Sequence, residues 1–235
     1  MERLKDKIAI VTGSSSGIGK AIALRFAQQG ATVVVAARRF YKCEETVAQI
    51  ESAGGKAWAL QTDIADESQV EQLMAETIRR HQRLDILVNN AGLFGGRRLA
   101  ETSTEAFDEV MRTNVRGTFL CCRAAFGQMK KQGGGTIINM SSVAGVQAWS
   151  GTGTYSASKH AIMALTKSLA DEGRAYRIKV SALCPGGVAD ELVDATPEAR
   201  AASEKIDPFD IAEAALYLAC LGPQAVVHQL VVDRL

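Results

Sequence analysis

Histidine and proline are scarce in this sequence, three and four residues in 235, and no two of the five cysteines (Cys43, Cys121, Cys122, Cys184, Cys220) stand at C-x-x-C spacing. With His81, His160 and His228 far apart as well, no zinc framework is legible and no metal is expected. The cysteines read as reduced thiols that fill core space in a cytosolic protein. An excess of charge of one sign is also lacking. The 27 basic and 26 acidic residues are interspersed, for a net charge of +1, which argues against nucleic acid or a membrane surface as partner. No apolar stretch reaches 18 residues, and "MERLKDKIAIVTG" has no apolar region of signal-peptide length, so a cytoplasmic location is the expectation. Few prolines, no low-complexity linker and no repeat of solenoid period oppose a boundary in mid-chain, and residues 1–235 are expected to form one domain.

What is present is alternation. Short apolar or β-branched runs recur as "IAIVT" (8–12), "TVVVAA" (32–37), "AWALQTD" (57–63), "ILVNN" (86–90), "TIINMS" (136–141), "KVSALC" (179–184) and "QLVVD" (229–233). Between most of them the apolar positions have helical spacing, as in Val70, Leu73, Met74 and Ile78. Strands apolar on both faces, separated by helices, predict an α/β fold: a doubly wound parallel sheet with helices on both sides. In such a sheet, ligands bind at loops beyond the carboxyl ends of the strands. Two unusual loops follow strands, "GLFGGRR" (92–98) and a long polar excursion that includes a candidate substrate lid at about 189–207.

"VTGSSSGIGKAIALRF" leaves the first strand and opens a helix, with Gly13, Gly17 and Gly19 in the order G-x-x-x-G-x-G. Glycine lets the backbone turn tightly and approach a pyrophosphate, which sits against the free amides and positive dipole of a helix N-terminus. A purely structural turn is the alternative; the strand before and amphipathic helix after favour the dinucleotide. At the end of the second strand an NAD enzyme places an acid on the ribose 2′-hydroxyl. This chain has Ala37 there, then Arg38 and Arg39. A missing acid and adjacent guanidinium groups favour a 2′-phosphate, hence NADP over NAD. Arg39 reads equally well as a solvated start to the next helix.

"TYSASKHAIMALTKS" sets Tyr155 and Lys159 four places apart, on one face of a helix. Alone, the pair reads first as packing. Taken with "TGSSSGIG", "NNAG" (89–92), "NMSS" (139–142) and "YSASK" (155–159), in that order, the chain resembles the short-chain dehydrogenase/reductase family from Ile8 to Asp233. The resemblance implies a single-domain Rossmann fold with seven parallel strands, a nicotinamide cofactor, and a homotetramer or homodimer, for which the helices at about 105–130 and 154–172 commonly build the interface. It puts catalytic roles on Asn114, Ser142, Tyr155 and Lys159, Ser142 rather than Ser141 because it lies thirteen places before the tyrosine. It implies cofactor contacts from Gly13, Ser15, Ser16, Gly17, Ile18 and Gly19, from Arg38 and Arg39, from Asp63 and Ile64 at the adenine, from Asn90, Ala91 and Gly92 at the ribose, from Tyr155 and Lys159, and from Pro185, Gly186 and Val188.

The chemistry suits those residue types. Carbonyl reduction needs a proton donor within reach of the developing alkoxide. A free phenol titrates at about 10, and a nearby ammonium is expected to lower that value. Ser142 would donate to the substrate oxygen, and Asn114 would hold a water linking Lys159 to solvent. One position departs from the family's P-G-x-V-x-T: Asp190 stands in place of the threonine, where its carboxylate either meets the pyrophosphate unfavourably or caps a helix. Leu93, Phe94, Trp149, Leu192 and Val193 are apolar candidates for the substrate wall. Arg97 and Arg98 are candidates for an acidic substrate or solvated loop residues. The expected activity is hydride transfer between NADP(H) and a ketone or secondary alcohol; the alternatives are a reductase of 3-oxoacyl chains on a carrier protein and a non-catalytic NADP-binding protein.

Overall fold

The computed structural model describes residues 2–189 and 204–234. Seven strands form one parallel sheet: β1 (Ile8–Thr12), β2 (Thr32–Ala37), β3 (Lys56–Gln61), β4 (Ile86–Asn89), β5 (Gly135–Met140), β6 (Ile178–Pro185) and β7 (Gln229–Val232). Their order is β3-β2-β1-β4-β5-β6-β7. The chain winds outward to β3 on one side, returns to β4 beside β1, and winds outward again to β7. The crevice between the carboxyl ends of β1 and β4 is therefore a switch point, where a parallel sheet accommodates a ligand.

The strands form because every second residue finds a different apolar layer. Ala9, Val11, Val33, Val35, Ile86 and Val88 face one side, with Ile22 and Phe26 of α1 (Gly17–Gln28) and Ile211 and Leu216 of α7 (Pro208–Ala219). Ile10, Val34, Leu87, Ile137 and Val180 face the other, against Leu73 of α3 (Glu67–His81) and Leu120 and Met129 of α5 (Thr118–Gln132). Phe26 is wholly buried, and truncating such a side chain to alanine costs about 3–5 kcal/mol. Among the described residues the remaining α-helices are α2 (Phe40–Ser52), α4 (Thr104–Val110) and α6 (Gly153–Gly173). Caps set several boundaries: Asp66 accepts from the amides of Ser68 and Gln69 to start α3, and Asp207 starts α7 just before Pro208.

Between α4 and α5 the helix widens into a π-helical stretch, Met111–Gly117, centred on Asn114. Such a bulge admits a residue that an α-helix would displace. Among the described residues, no helix is long and apolar enough to cross a membrane.

Candidate active site

The turn from β1 to α1 is built for close approach. Gly13 has φ +67°, a left-handed conformation that disfavours any Cβ. A Cβ on Gly19 would collide with the Gly13 carbonyl and the Asn90 side-chain amide, so nothing larger than glycine fits between turn and β4. Ser16, at the N-cap of α1, makes no side-chain cap hydrogen bond. Its Oγ instead accepts from Arg39 Nη2 at 3.0 Å, and Ser15 Oγ lies 3.4 Å from the same nitrogen. The first amides of α1 thus stay directed at the crevice, beneath a guanidinium.

That crevice is a cleft of about 490 Å³, lined by Gly13, Ser15, Ser16, Gly17 and Ile18, by Arg38 and Arg39, by Asp63 and Ile64, and by Asn90, Ala91 and Gly92, with Val188 on its far wall. Both arginines line it, but Arg39 reaches over the glycine-rich turn. Gln61 at the end of β3 donates to the Arg38 carbonyl at 3.1 Å. Asp63 Oδ1 accepts from the Ala65 amide at 3.0 Å, and Gln69 holds the Asp63 amide at 2.8 Å, so this loop is fixed by its own hydrogen bonds. The "NNAG" segment is tied to the turn opposite: Thr12 Oγ1 accepts from the amides of Asn90 and Ala91, both at 3.1 Å, and Asn90 Nδ2 donates to the Thr12 carbonyl at 3.0 Å.

At its inner end the cleft runs into a chamber of about 300 Å³, sharing Ile18, Asn90, Gly92, Leu93 and Val188 with it. Ser142, Tyr155 and Lys159 line the chamber, as do Pro185 and Gly186. Ser142 follows β5, and its Oγ donates to the Pro185 carbonyl at 3.3 Å and accepts from the Ala144 amide at 3.1 Å. Ser141, expected to pack, is buried and donates to the Lys159 carbonyl at 3.1 Å. Lys159 reaches back to the carboxyl end of β5, where its Nζ donates to the Met140 carbonyl at 2.8 Å and stands 5.6 Å from the centre of the Tyr155 ring.

Asn114 does not line the chamber, yet it braces it. Its Oδ1 accepts from the Leu93 amide at 2.7 Å, and its Nδ2 donates to the Leu93 carbonyl at 2.9 Å and to Ser158 Oγ at 3.0 Å. Ser158 in turn donates to the Tyr155 carbonyl at 2.7 Å. One asparagine therefore joins the loop after β4 to the first turns of α6.

Burial dominates the electrostatics. It pushes the Tyr155 phenol above its ordinary value, and the Ser142 hydroxyl beside it works in the opposite direction. Burial also pushes the Lys159 ammonium down to about 8. The lowering of Tyr155 by Lys159, expected from their spacing, is not among the causes that set the phenol's value. The ammonium is directed at a backbone carbonyl and meets the phenol only across the ring.

Of the apolar candidates for the substrate wall, Leu93 and Phe94 line the chamber, with Phe94 edge-on to Tyr155 at 5.0 Å between ring centres. Trp149 does not: its backbone is held by the Thr152 hydroxyl in an exposed turn before α6. Arg97 and Arg98 are exposed and line neither space. Asp190, Leu192 and Val193, with most of the expected lid at 189–207, lie outside the described residues. The base of that excursion is visible as a clamp: the Ala189 amide donates to the Ile206 carbonyl at 3.0 Å and the Ile206 amide to the Gly187 carbonyl at 2.9 Å.

Comparison with known proteins places this geometry. The family model for short chain dehydrogenase matches residues 7–201. The chain is 43% identical over 200 residues to an uncharacterised oxidoreductase of Thermotoga maritima, covering 85% of this chain and 79% of the relative. It is 38% identical over 195 residues to a 3-oxoacyl-[acyl-carrier-protein] reductase of Synechocystis sp., covering 83% and 79%. A metagenomic short-chain oxidoreductase crystallised in complex with NADP superimposes with a TM-score of 0.87 over 99% of both chains, at 31% identity.

Proposed function

Since the chain belongs to the short-chain dehydrogenase/reductase family, we propose that it transfers hydride between NADP(H) and a ketone or secondary alcohol, with Tyr155 as the general acid and base. The observation that carries this reading is the continuity of the glycine-lined cleft with the chamber that holds Ser142, Tyr155 and Lys159. The residues present fit a dinucleotide: a Cβ-free approach at Gly13 and Gly19, uncapped amides at the start of α1, and Arg39 over Ser15 and Ser16. Arg39 and Arg38 are assigned to the 2′-phosphate, Asp63 and Ile64 to the adenine, and Asn90, Ala91 and Gly92 to the ribose, with Pro185, Gly186 and Val188 along the nicotinamide end. The bound dinucleotide supplies the hydride.

The protein's own part is proton delivery and positioning. Tyr155 donates its phenolic proton to the oxygen that gains charge and Ser142 donates a hydrogen bond to that oxygen; to stabilise the phenolate left behind, the Lys159 ammonium turns from the Met140 carbonyl toward the Tyr155 oxygen. Asn114 acts through Leu93 and Ser158, holding the loop after β4 at a fixed distance from α6. In the direction of alcohol oxidation the same phenolate accepts the proton. Five cysteines without a disulfide among them suit the reducing cytoplasm, where NADPH is maintained.

Following NADPH and NADH absorbance against a panel of ketones, aldehydes and a carrier-linked 3-oxoacyl substrate tests the assignment. NADPH consumption with at least one carbonyl, lost by a factor of about 10²–10⁴ in Tyr155→Phe, is the expected result. Turnover that survives Tyr155→Phe overturns the mechanism. The carrier-linked substrate decides the second reading, which the Synechocystis relative favours. A homotetramer or homodimer is further proposed to form through the α4–α5 face, where Met111, Val115, Phe119 and Leu165 line an open groove of about 880 Å³; a monomer in sedimentation would refute it.

A further inference from the structure

At the pole of the sheet opposite the Tyr155 chamber, the amino-terminal ends of β1, β4, β5 and β6 surround a cavity of about 460 Å³. Its wall carries Arg3, Lys7, Arg83, Arg177 and Lys179 against a single carboxylate, Asp85. The chain as a whole has nearly equal numbers of basic and acidic residues, so this is a concentration of one sign at one place.

Asp85 is already engaged. Its Oδ2 accepts from Arg83 Nε at 2.9 Å and from the Ile8 amide at 3.0 Å, and Lys7 Nζ lies 3.5 Å from Oδ1. Arg3, Arg177 and Lys179 have no carboxylate partner among the described residues. Lys179 is half-buried, with one ammonium hydrogen bond, 2.6 Å to the Leu221 carbonyl. Burial pushes its ammonium below the ordinary value, with Cys220 working against that and the Lys7 charge adding to it. Cys220 sits on the same wall, where burial pushes its thiol above the ordinary value and the charges of Arg3 and Lys179 work in the opposite direction. A half-buried cation without a counter-ion gains most when an oxyanion offers charge-assisted hydrogen bonds.

We propose that this cavity binds a small multivalent oxyanion of the phosphate-ester type, held by Arg3, Arg177 and Lys179. Its volume lies in the range of small-molecule sites, and Lys179 is the least exposed of its cations.

The test uses Cys220 as a reporter, because the other four cysteines are buried. With the dinucleotide cleft saturated by excess NADPH and ionic strength held constant with sodium chloride, alkylation of Cys220 by iodoacetamide is followed by peptide mass spectrometry as inorganic pyrophosphate is added. The expected result is a saturable slowing of about threefold or more at millimolar pyrophosphate. That protection should vanish in the double variant Arg3→Gln/Arg177→Asn. Both positions are exposed, and asparagine tolerates the left-handed φ of +56° at Arg177, so the variant should keep its melting temperature. Lys179→Gln provides an independent check from the recessed cation. An unchanged alkylation rate, or equal protection in both variants, overturns the proposal. Protection by polyglutamate but not by pyrophosphate also overturns it, and would make this pole a surface for an acidic protein.

Discussion

The β1–α1 turn and the start of α6 face one another across a single crevice and hold their ground by different means. On the first side the construction is backbone: a left-handed Gly13, a Gly19 with no room for a Cβ, and amides left free at a helix start. On the second it is side chains under constraint: Lys159 anchored on a carbonyl, Ser142 between Pro185 and Ala144, and Asn114 bridging a loop to a helix. A backbone site tolerates any side chain that points away and no Cβ that points in. A side-chain site tolerates modest backbone drift and no change of functional group.

That contrast can be broken by substitution. After Tyr155→Phe, the largest effect is expected from Lys159→Met, which should lower kcat/KM by a factor of about 10²–10³, on the scale of a removed electrostatic stabiliser. It also carries a stability signature. Burial holds Lys159 at about 8 against 10.5 for the free side chain. The unfolded chain therefore binds more protons than the native one between those values, and native stability rises with pH across that window. Denaturant unfolding from pH 7 to 10 should show this rise in the parent protein relative to Lys159→Met; parallel profiles would mean that the lysine is not held uncomfortably.

Gly19→Ala should act on the opposite side alone. Overpacking against the Gly13 carbonyl and Asn90 costs about 1–3 kcal/mol, so cofactor affinity should fall by about ten- to a hundredfold. The kcat at saturating cofactor should change little. A loss confined to kcat, read from steady-state kinetics, would contradict the division between the two sides.

The smallest and most selective effect is expected at the arginines. Arg39→Ala should weaken NADPH by about tenfold, the worth of one charge-assisted hydrogen bond, and leave NADH within twofold. Arg38→Ala should do less, since it is Arg39 that reaches Ser15 and Ser16. Equal losses for both dinucleotides in a fluorescence titration would remove Arg39 from the phosphate.

Much of this arrangement is legible in the linear chain. The seven apolar runs coincide with the seven strands to within two residues at either end, because the inner strands are buried on both faces and have no polar alternation to blur them, while the edge strands β3 and β7 are only partly covered. Ser142, Tyr155 and Lys159 line one chamber, and Asn114 braces it through Ser158 from outside. What the motifs do not carry is the direction of a side chain at an element boundary. Arg38 and Arg39 are equivalent as letters, and only the turn into α2, with Arg39 at its N-cap, swings one of them over the glycine-rich loop. The helix widened at Met111–Gly117 places Asn114 against Leu93 and Ser158, contacts that lie far away in sequence. The phenol's environment is likewise set by burial, which local spacing does not encode.

The clamp between Gly187, Ala189 and Ile206 has a consequence for how such a protein diversifies. It holds Ala189 against Ile206 beside Gly187, so the two ends of the excursion are tied together. Loop-closure entropy grows only slowly with length, so substitutions, insertions and deletions between those ends leave the strand that carries Pro185 where it is. If the excursion covers the substrate as proposed, new preferences can then be explored by exchanging one contiguous stretch of gene, while the residues proposed for proton transfer are inherited unchanged.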